Sequence, residues 1–271
     1  MRIIQYICCN GEISEECLIP VDQGYLYGYG VFETINVVAS KVIFFAEHMK
    51  RLKSSSAVIG LQVTFDEDRI LRDCNDMIKK NLMEIGALRV THSKGSAQNN
   101  LIITARENHY GEKIVQKGLN INISDYRRNE KSLLVTVKSN NYLENLLILN
   151  RSINKGFSEA IFFNSQGYLA EGCISNIFFI KNKKVHTPAA DNGLLSGIVR
   201  NKVIELLKVE NIPIEEGYYS KASLLAADEI FITNSLMEIM PVNRVGHQPF
   251  FLENESFTNH IRALYKQRLW V

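Results

Sequence analysis

The sequence predicts a two-domain chain of the α/β (α+β) class. Three observations carry this reading. The 271 residues exceed what one ordinary domain needs. Short β-branched and aromatic runs alternate with stretches of helical spacing along the whole chain. A polar segment, "ENHYGEKIVQKG" at 107–118, separates the two halves. The expected domains are an N-terminal one over 1–113 and a C-terminal one over 118–271.

The elements follow in order. "IIQYICC" (3–9) reads as a strand, and "YGVFETINVV" (29–38) as a second after a glycine-rich turn. "FFAEHMKRLKSSSAVIG" (44–60) places Phe45, Met49, Leu52 and Ala57 at helical spacing. "DEDRILRDCNDMIKKNLMEIG" (66–86) is a stronger amphipathic helix, with Ile70, Leu71, Cys74, Met77, Ile78 and Leu82 on one stripe and Gly86 as its stop. "ALRVTHS" (87–93) and "NLIITAR" (100–106) read as the two strands of a hairpin. Beyond the linker, "LNINIS", "SLLVTV", "EAIFFN", "SNIFFIK", "KVHT" and "DEIFITN" supply strands. Helices are expected at about 142–156, 196–210 and 255–268.

Composition narrows the function. Apolar residues make up 46% and charged residues 22%, which allows a sizeable core and argues against disorder. Lys and Arg number 31 against 29 Asp and Glu, a balance of +2 that gives no electrostatic reason for nucleic acid or an anionic membrane as partner. No apolar run reaches the length of a membrane span, and the opening "MRIIQYICCNGEISEE" lacks an apolar leader. Cys8, Cys9, Cys17, Cys74 and Cys173 show no CxxC spacing; they suit a reducing compartment and suggest no metal centre. The expectation is a soluble cytoplasmic protein.

Five stretches carry chemistry, and each has a plain alternative. Lys138 closes the run Leu133–Val137, where it either marks the strand's exit into water or serves as a nucleophilic amine. In "DQGYLYGYGVFETI" the glycines Gly28 and Gly30 lack the third glycine and the following helix of a dinucleotide loop, so they permit a tight turn. Tyr25, Tyr27, Tyr29 and Phe32 around them either line a pocket or pack. In "GLLSGIVRNKVIELL", Ser196 and Gly197 open a helix whose free N–H groups form a natural phosphate seat, although most helices that begin this way bind nothing. Glu171 in "LAEGCISNIFFI" is either a turn carboxylate in solvent or a buried partner for a cation. Arg51, three residues after His48, reads alone as part of a solvated helix face.

Their order is more specific than any one of them. Asp22-x-Gly-x-x-Tyr-Gly-x-Gly-Val-Phe-Glu33, His48-x-x-Arg51-Leu, Lys138, Glu171-Gly-x-x-Ser175-Asn176-Ile-Phe, Thr187-Pro, Gly197-Ile198-x-Arg and Ala227-Asp-Glu-x-Phe-x-Thr-Asn234-Ser235 follow one another. From about residue 3 to 245 this resembles the fold-type IV pyridoxal-phosphate enzymes, which include branched-chain and D-amino-acid aminotransferases and aminodeoxychorismate lyases.

The resemblance implies a two-domain enzyme with pyridoxal 5'-phosphate between the domains, a small-molecule substrate and a homodimeric assembly. It implies that Lys138 joins the cofactor's aldehyde and then shuttles a proton, which needs the amine as a neutral base. Glu171 would pair with the pyridine nitrogen and Arg51 with the phosphate. The N–H groups of Ile198 and Val199 and the Ser235 hydroxyl would complete the phosphate seat, with Ser175, Asn176, Gly197 and Asn234 among the cofactor-binding positions. Relatives often carry Thr at Val199, so one side-chain contact is lost there. Tyr142 would meet the phenolic oxygen, and Tyr27, Phe32 and Arg89 would line the substrate pocket, with Arg127 and Arg128 as other contacts for a carboxylate.

Within that family the sequence is most similar to the lyases. Thr34 in "FETI" stands where branched-chain enzymes have Gly, and its hydroxyl could pass a proton to a departing enolpyruvyl group. "GSAQNN" (95–100) has neither the Arg nor the His with which D-amino-acid aminotransferases grip a carboxylate. "KSNNYLEN" and "TNSLMEIMPV" look most like the lyases, and "ALRV" replaces the branched-chain Tyr-x-Arg-Pro. The implied reaction converts 4-amino-4-deoxychorismate to 4-aminobenzoate and pyruvate, a step of folate biosynthesis. The alternatives are an aminotransferase on the same scaffold and a binding protein that retains the fold without chemistry.

Overall fold

A computed structural model describes residues 6–16, 21–250 and 255–269. The chain forms two compact units. The first contains the chain up to His109 together with Val137–Tyr142, and the second contains Tyr110–Thr136 and the chain from Leu143 onward. The lysine-bearing segment thus packs with the first unit, whereas the sequence reading put it in the C-terminal domain.

The first unit runs β1 (Ile7–Cys9), β2 (Glu12–Ser14), α1 (Gln23–Tyr27), β3 (Gly30–Val38), β4 (Lys41–Val42), α2 (Phe45–Val58), α3 (Glu67–Lys80), β5 (Ile85–Ser93) and β6 (Asn100–Arg106). Its antiparallel sheet has the order β2-β1-β6-β5-β3-β4. Strand alternation sends Val31, Ile35 and Val37 of β3 into a core with Met49 and Leu52 of α2 and Ile70, Cys74 and Met77 of α3. Phe32 and Thr34 therefore lie on the sheet's other face. The glycine-rich turn contains α1, a single helical turn capped by Asp22 and closed by Gly28 in the left-handed region at φ 62°. The helix expected to reach Gly86 stops sooner. Asn81 donates to the Met77 carbonyl at 2.9 Å, and Leu82 follows at φ 50°, exposed rather than on the buried stripe.

The second unit continues with α4 (Glu112–Lys117), β7 (Leu119–Ile123), α5 (Leu143–Asn154), β8 (Glu159–Phe163), β9 (Leu169–Gly172), β10 (Asn176–Lys181) and β11 (Lys184–Pro188). After a 3₁₀ turn at Ala190–Asn192 come α6 (Ile198–Val209), β12 (Ile214–Gly217), α7 (Lys221–Leu225), β13 (Glu229–Asn234), β14 (Glu238–Val245), β15 (Gln248–Pro249) and α8 (Phe257–Leu269). The mixed sheet is ordered β12-β11-β10-β13-β14-β7-β8-β9, with β15 beside β14. Its core includes Ile121, Ile161, Ile177, Ile230, Ile232 and Met240.

Two expectations need correction. The polar linker holds a helix, α4, ended by Gly118 at φ 67°. "SLLVTV" is not a strand. Ser132 N donates to the Asn129 carbonyl at 3.1 Å, Val135 N to the Ser132 carbonyl at 3.2 Å, and Leu134 N to the Ser132 hydroxyl at 3.3 Å. These turns outweigh the β-branched composition, and Leu133 stays exposed.

Cys8, Cys74 and Cys173 are buried free thiols; burial pushes Cys8 up to about 11 and Cys74 to about 12. They are core residues. Cys17 and the first part of the opening strand (3–5) lie outside the described residues. Among the described residues no helix is long and apolar enough to cross a membrane.

Burial also makes stability pH-dependent. His92 on β5 is buried, with Nδ1 2.9 Å from the Ser56 hydroxyl and its ring edge-on to Phe65. Burial pulls it from 6.5 down to about 4. Between these values the unfolded chain binds the proton and the folded chain does not, so stability falls as pH drops from about 6.5 to 4. His92→Gln is expected to flatten that part of the curve of urea midpoint against pH. An equal fall in both proteins would remove His92 as a cause.

Candidate active site

Lys138 is placed by backbone pairing. Phe32 N donates to the Lys138 carbonyl at 2.8 Å, Asn140 N donates to the Gly30 carbonyl at 2.8 Å, and Ser139 forms a bridge with Val31. The segment extends the edge of β3 where β4 does not reach it. A side chain at Gly30 would meet Asn140 Nδ2 at 2.7 Å and the His92 carbonyl at 2.8 Å, so glycine is needed for this close approach. Lys138 lies opposite Phe32, on the same face as Thr34.

That face gathers several of the expected residues. Lys138 Nζ is 4.7 Å from the Phe32 ring centroid and 5.5 Å from that of Tyr142. Phe32 and Tyr142 meet edge to face at 5.5 Å. Arg89 pairs with Thr34 across β5 and β3, and its guanidinium carbon is 3.5 Å from the Phe32 centroid. Arg89 also donates to the Thr91 hydroxyl at 3.3 Å and to Asn140 Oδ1 at 3.1 Å. Burial and the charge of Arg106 hold it down to about 10, so it remains cationic at neutral pH. Tyr142 comes just before α5 rather than on it. Tyr27 is 71% exposed on α1.

On the opposite face of β3 stands a trio that the sequence reading did not single out. Glu33 is fully buried and accepts Arg51 Nε at 2.7 Å, Arg51 Nη2 at 2.6 Å and His48 Nδ1 at 2.7 Å. Burial opposes its charge, but Arg51 and the hydrogen bonds from Arg51 and His48 prevail and hold it down to about 2. Burial lowers His48 as well, so its neutral ring donates through Nδ1. The signal was present: Glu33 and His48 both lie inside the ordered motifs.

In the second unit Glu171 is on β9 itself and buried, not in an exposed turn. Its Oε2 accepts Leu195 N at 3.0 Å, and its Oε1 lies 3.4 Å from Arg128 Nη2. Arg128 is buried over the Phe162 ring at 3.9 Å and donates to Glu144 and Asn145 at 3.2 and 3.1 Å. Arg127 remains exposed.

The loop after Glu171 is held from several sides. The fully buried Glu159 accepts Cys173 N at 3.0 Å, Ile174 N at 3.1 Å and the Ser175 hydroxyl at 2.8 Å. Asn234 donates to the Ile174 carbonyl at 3.1 Å and accepts Leu236 N and Met237 N at 2.9 Å. Asn176 donates to the Leu195 carbonyl at 2.8 Å, which ties the loop to the start of α6. The side chains of Ser175, Asn176 and Asn234 thus brace the loop. Ser235 begins the turn between β13 and β14 and is half-buried.

The helix α6 begins at Gly197 with no side-chain cap. A Cβ there would sit 2.0 Å from Asn176 Oδ1, so a side chain would push Asn176 from its bond to Leu195. The buried Ile198 and Val199 supply the first N–H groups of this twelve-residue helix, at its positive end.

Comparison with known proteins places this geometry. The model of the amino-transferase class IV family matches residues 30–245. The aminodeoxychorismate lyase of Bacillus subtilis (strain 168) is 29% identical over 97% of this chain and 94% of that protein. The D-alanine aminotransferase of Bacillus licheniformis is 30% identical over 88% of each. The branched-chain-amino-acid aminotransferase of Escherichia coli (strain K12) is 30% identical over 89% of this chain and 84% of that protein. A crystal structure of Escherichia coli branched-chain amino acid aminotransferase matches with a TM-score of 0.86 at 28% identity, over 95% of this chain and 92% of that one. Solved relatives of this fold hold pyridoxyl groups. With its two sheets and its ordered motifs, the chain belongs to the amino-transferase class IV family of pyridoxal-phosphate-dependent enzymes.

Proposed function

We propose that this enzyme is a 4-amino-4-deoxychorismate lyase, releasing 4-aminobenzoate and pyruvate for folate biosynthesis. The observation that carries the reading is Thr34. It lies on the Lys138 face of the sheet and pairs with Arg89 across β3 and β5, while Arg89 and Lys138 both pack on the ring of Phe32, two residues before it. The nearly full-length likeness to the Bacillus subtilis lyase supports it.

The residues suit the cofactor. The first unit offers an amine among aromatic rings and a part-buried arginine fork; the second offers a buried carboxylate and an uncapped helix start at which Gly197 lies close against Asn176. When bound, pyridoxal phosphate supplies an aldehyde for the substrate's amine and a ring that draws electrons from the adjoining carbon. Lys138 would hold that aldehyde until the substrate's 4-amino group takes its place, and its freed Nζ would take the proton from the substrate ring carbon that bears this amine. Glu171 would keep a proton on the pyridine nitrogen. Arg51, the N–H groups of Ile198 and Val199, and Ser235 would hold the phosphate, and Tyr142 would serve the phenolic oxygen. Arg89 holds a substrate carboxylate. Thr34 passes a proton to the enolpyruvyl oxygen as its bond to the ring breaks. Pyruvate leaves as its enol, and the ring becomes aromatic.

Thr34→Val keeps the shape and removes the hydroxyl. It is expected to slow 4-aminobenzoate release by roughly a hundredfold or somewhat less, the lower range for a positioned acid, because threonine is a weak one. The visible spectrum of the cofactor-bound protein should not change. A wild-type rate would leave Thr34 an ordinary strand residue.

The aminotransferase reading rests on the similar identity to the D-alanine and branched-chain enzymes. It requires conversion of a 2-oxo acid to an amino acid. A homodimer belongs to the same proposal. The helix α5 turns Leu143, Leu146, Leu147 and Ile153 to solvent, an apolar stripe that a second copy would cover. Light scattering should give twice the chain mass, and the mass of one chain would exclude the assembly.

A further inference from the structure

We infer that Glu33 and His48 are positioning residues that fix the Arg51 guanidinium for the cofactor's phosphate. This rests on the proposed role of Arg51. A guanidinium presents its donors on two edges, and Glu33 grips one of them, Nε with Nη2, bidentately at 2.7 and 2.6 Å. That grip fixes the direction of the opposite edge, Nη1 with Nη2, the edge the proposal assigns to the phosphate. His48 donates to the same Glu33 oxygen that Arg51 Nη2 uses, and so prevents the carboxylate from turning away. Glu33 is on β3, paired through its length with β5, and His48 is buried one turn before Arg51 on α2, so both ends of the frame belong to regular elements.

The arrangement has a consequence opposite to simple charge counting. Glu33 is ionised and His48 neutral, so the trio carries no net charge. Arg51 then binds the phosphate through oriented N–H donors, with its rotamer freedom already removed. Glu33→Gln adds one unit of positive charge. If charge alone set the affinity, the variant would bind phosphate more tightly; positioning requires that it bind more weakly.

The test titrates cofactor-free protein with pyridoxal phosphate and with pyridoxal, and takes the ratio of their dissociation constants as the gain due to phosphate. Arg51→Ala tests the underlying role and should reduce that gain. Glu33→Gln should reduce it about tenfold, the scale of freezing one long side chain, while pyridoxal affinity stays near wild type. His48→Leu should reduce it several-fold, and His48→Asn, which keeps a donor, should restore most of the loss. The His48 pair decides the matter if Glu33→Gln does not fold. An unchanged gain in Arg51→Ala would overturn the phosphate role itself. A reduced gain in Arg51→Ala with an unchanged or larger one in Glu33→Gln, or in both His48 variants, would overturn the positioning role alone.

Discussion

Lys138→Ala is expected to abolish turnover and, with it, the visible absorption band of cofactor joined to the lysine. The side chain sits beside Phe32 and Tyr142 on the Thr34 face, where its amine can reach an aldehyde. The backbone of its segment is held by main-chain hydrogen bonds to Gly30 and Phe32, which the truncation leaves intact. The variant should therefore fold and still take up pyridoxal phosphate without attaching it. In the wild-type protein, borohydride reduction followed by peptide mapping should fix the cofactor to Lys138. Attachment to a different lysine would reject the assignment.

Glu171→Gln is expected to cut the rate by at least about a hundredfold, the scale of losing one preorganised charge. Cofactor retention should change much less. The amide oxygen can still accept Leu195 N, so the loop into α6 keeps its anchor. What disappears is the negative charge. A neutral amide cannot hold the proton on the pyridine nitrogen, and its NH₂ would face Arg128, a second donor, across the present 3.4 Å. Measured at saturating cofactor, a rate near wild type would mean that another group serves the nitrogen.

Much of the fold was legible because its strands and helices are locally self-consistent. The β3 strand, the β5–β6 hairpin and the apolar strands β8, β10 and β13 match the runs that announced them. The stretch 133–137 misled for a physical reason: its composition favours a strand, while Asn129 and Ser132 supply turn bonds that win. Lys138 consequently owes its position to pairing with β3 rather than to a strand of its own. The end of α3 depended on the Asn81 amide, a weaker signal than the glycine that followed.

For the site, the motif order brought out Lys138, Glu171 and Arg51, and it contained Glu33 and His48 without showing that they pair with Arg51. Glu33 reaches Arg51 only once β3 packs on α2, and Arg128 meets Glu171 only once the second sheet has formed. Such partners are distant in sequence, and no local periodicity announces them. Ser175, Asn176 and Asn234 were visible as a pattern, yet the geometry shows their side chains bracing the Glu171 loop through Glu159, Leu195 and Ile174.

The most direct test of the lyase proposal is product analysis. Holoenzyme given 4-amino-4-deoxychorismate and no 2-oxo acid should release 4-aminobenzoate and pyruvate in equal amounts over many turnovers. Holoenzyme given D-alanine or L-leucine with a 2-oxo acid should form little new amino acid by comparison. No 4-aminobenzoate from the first mixture, with steady transamination in the second, would contradict the account and make this chain an aminotransferase.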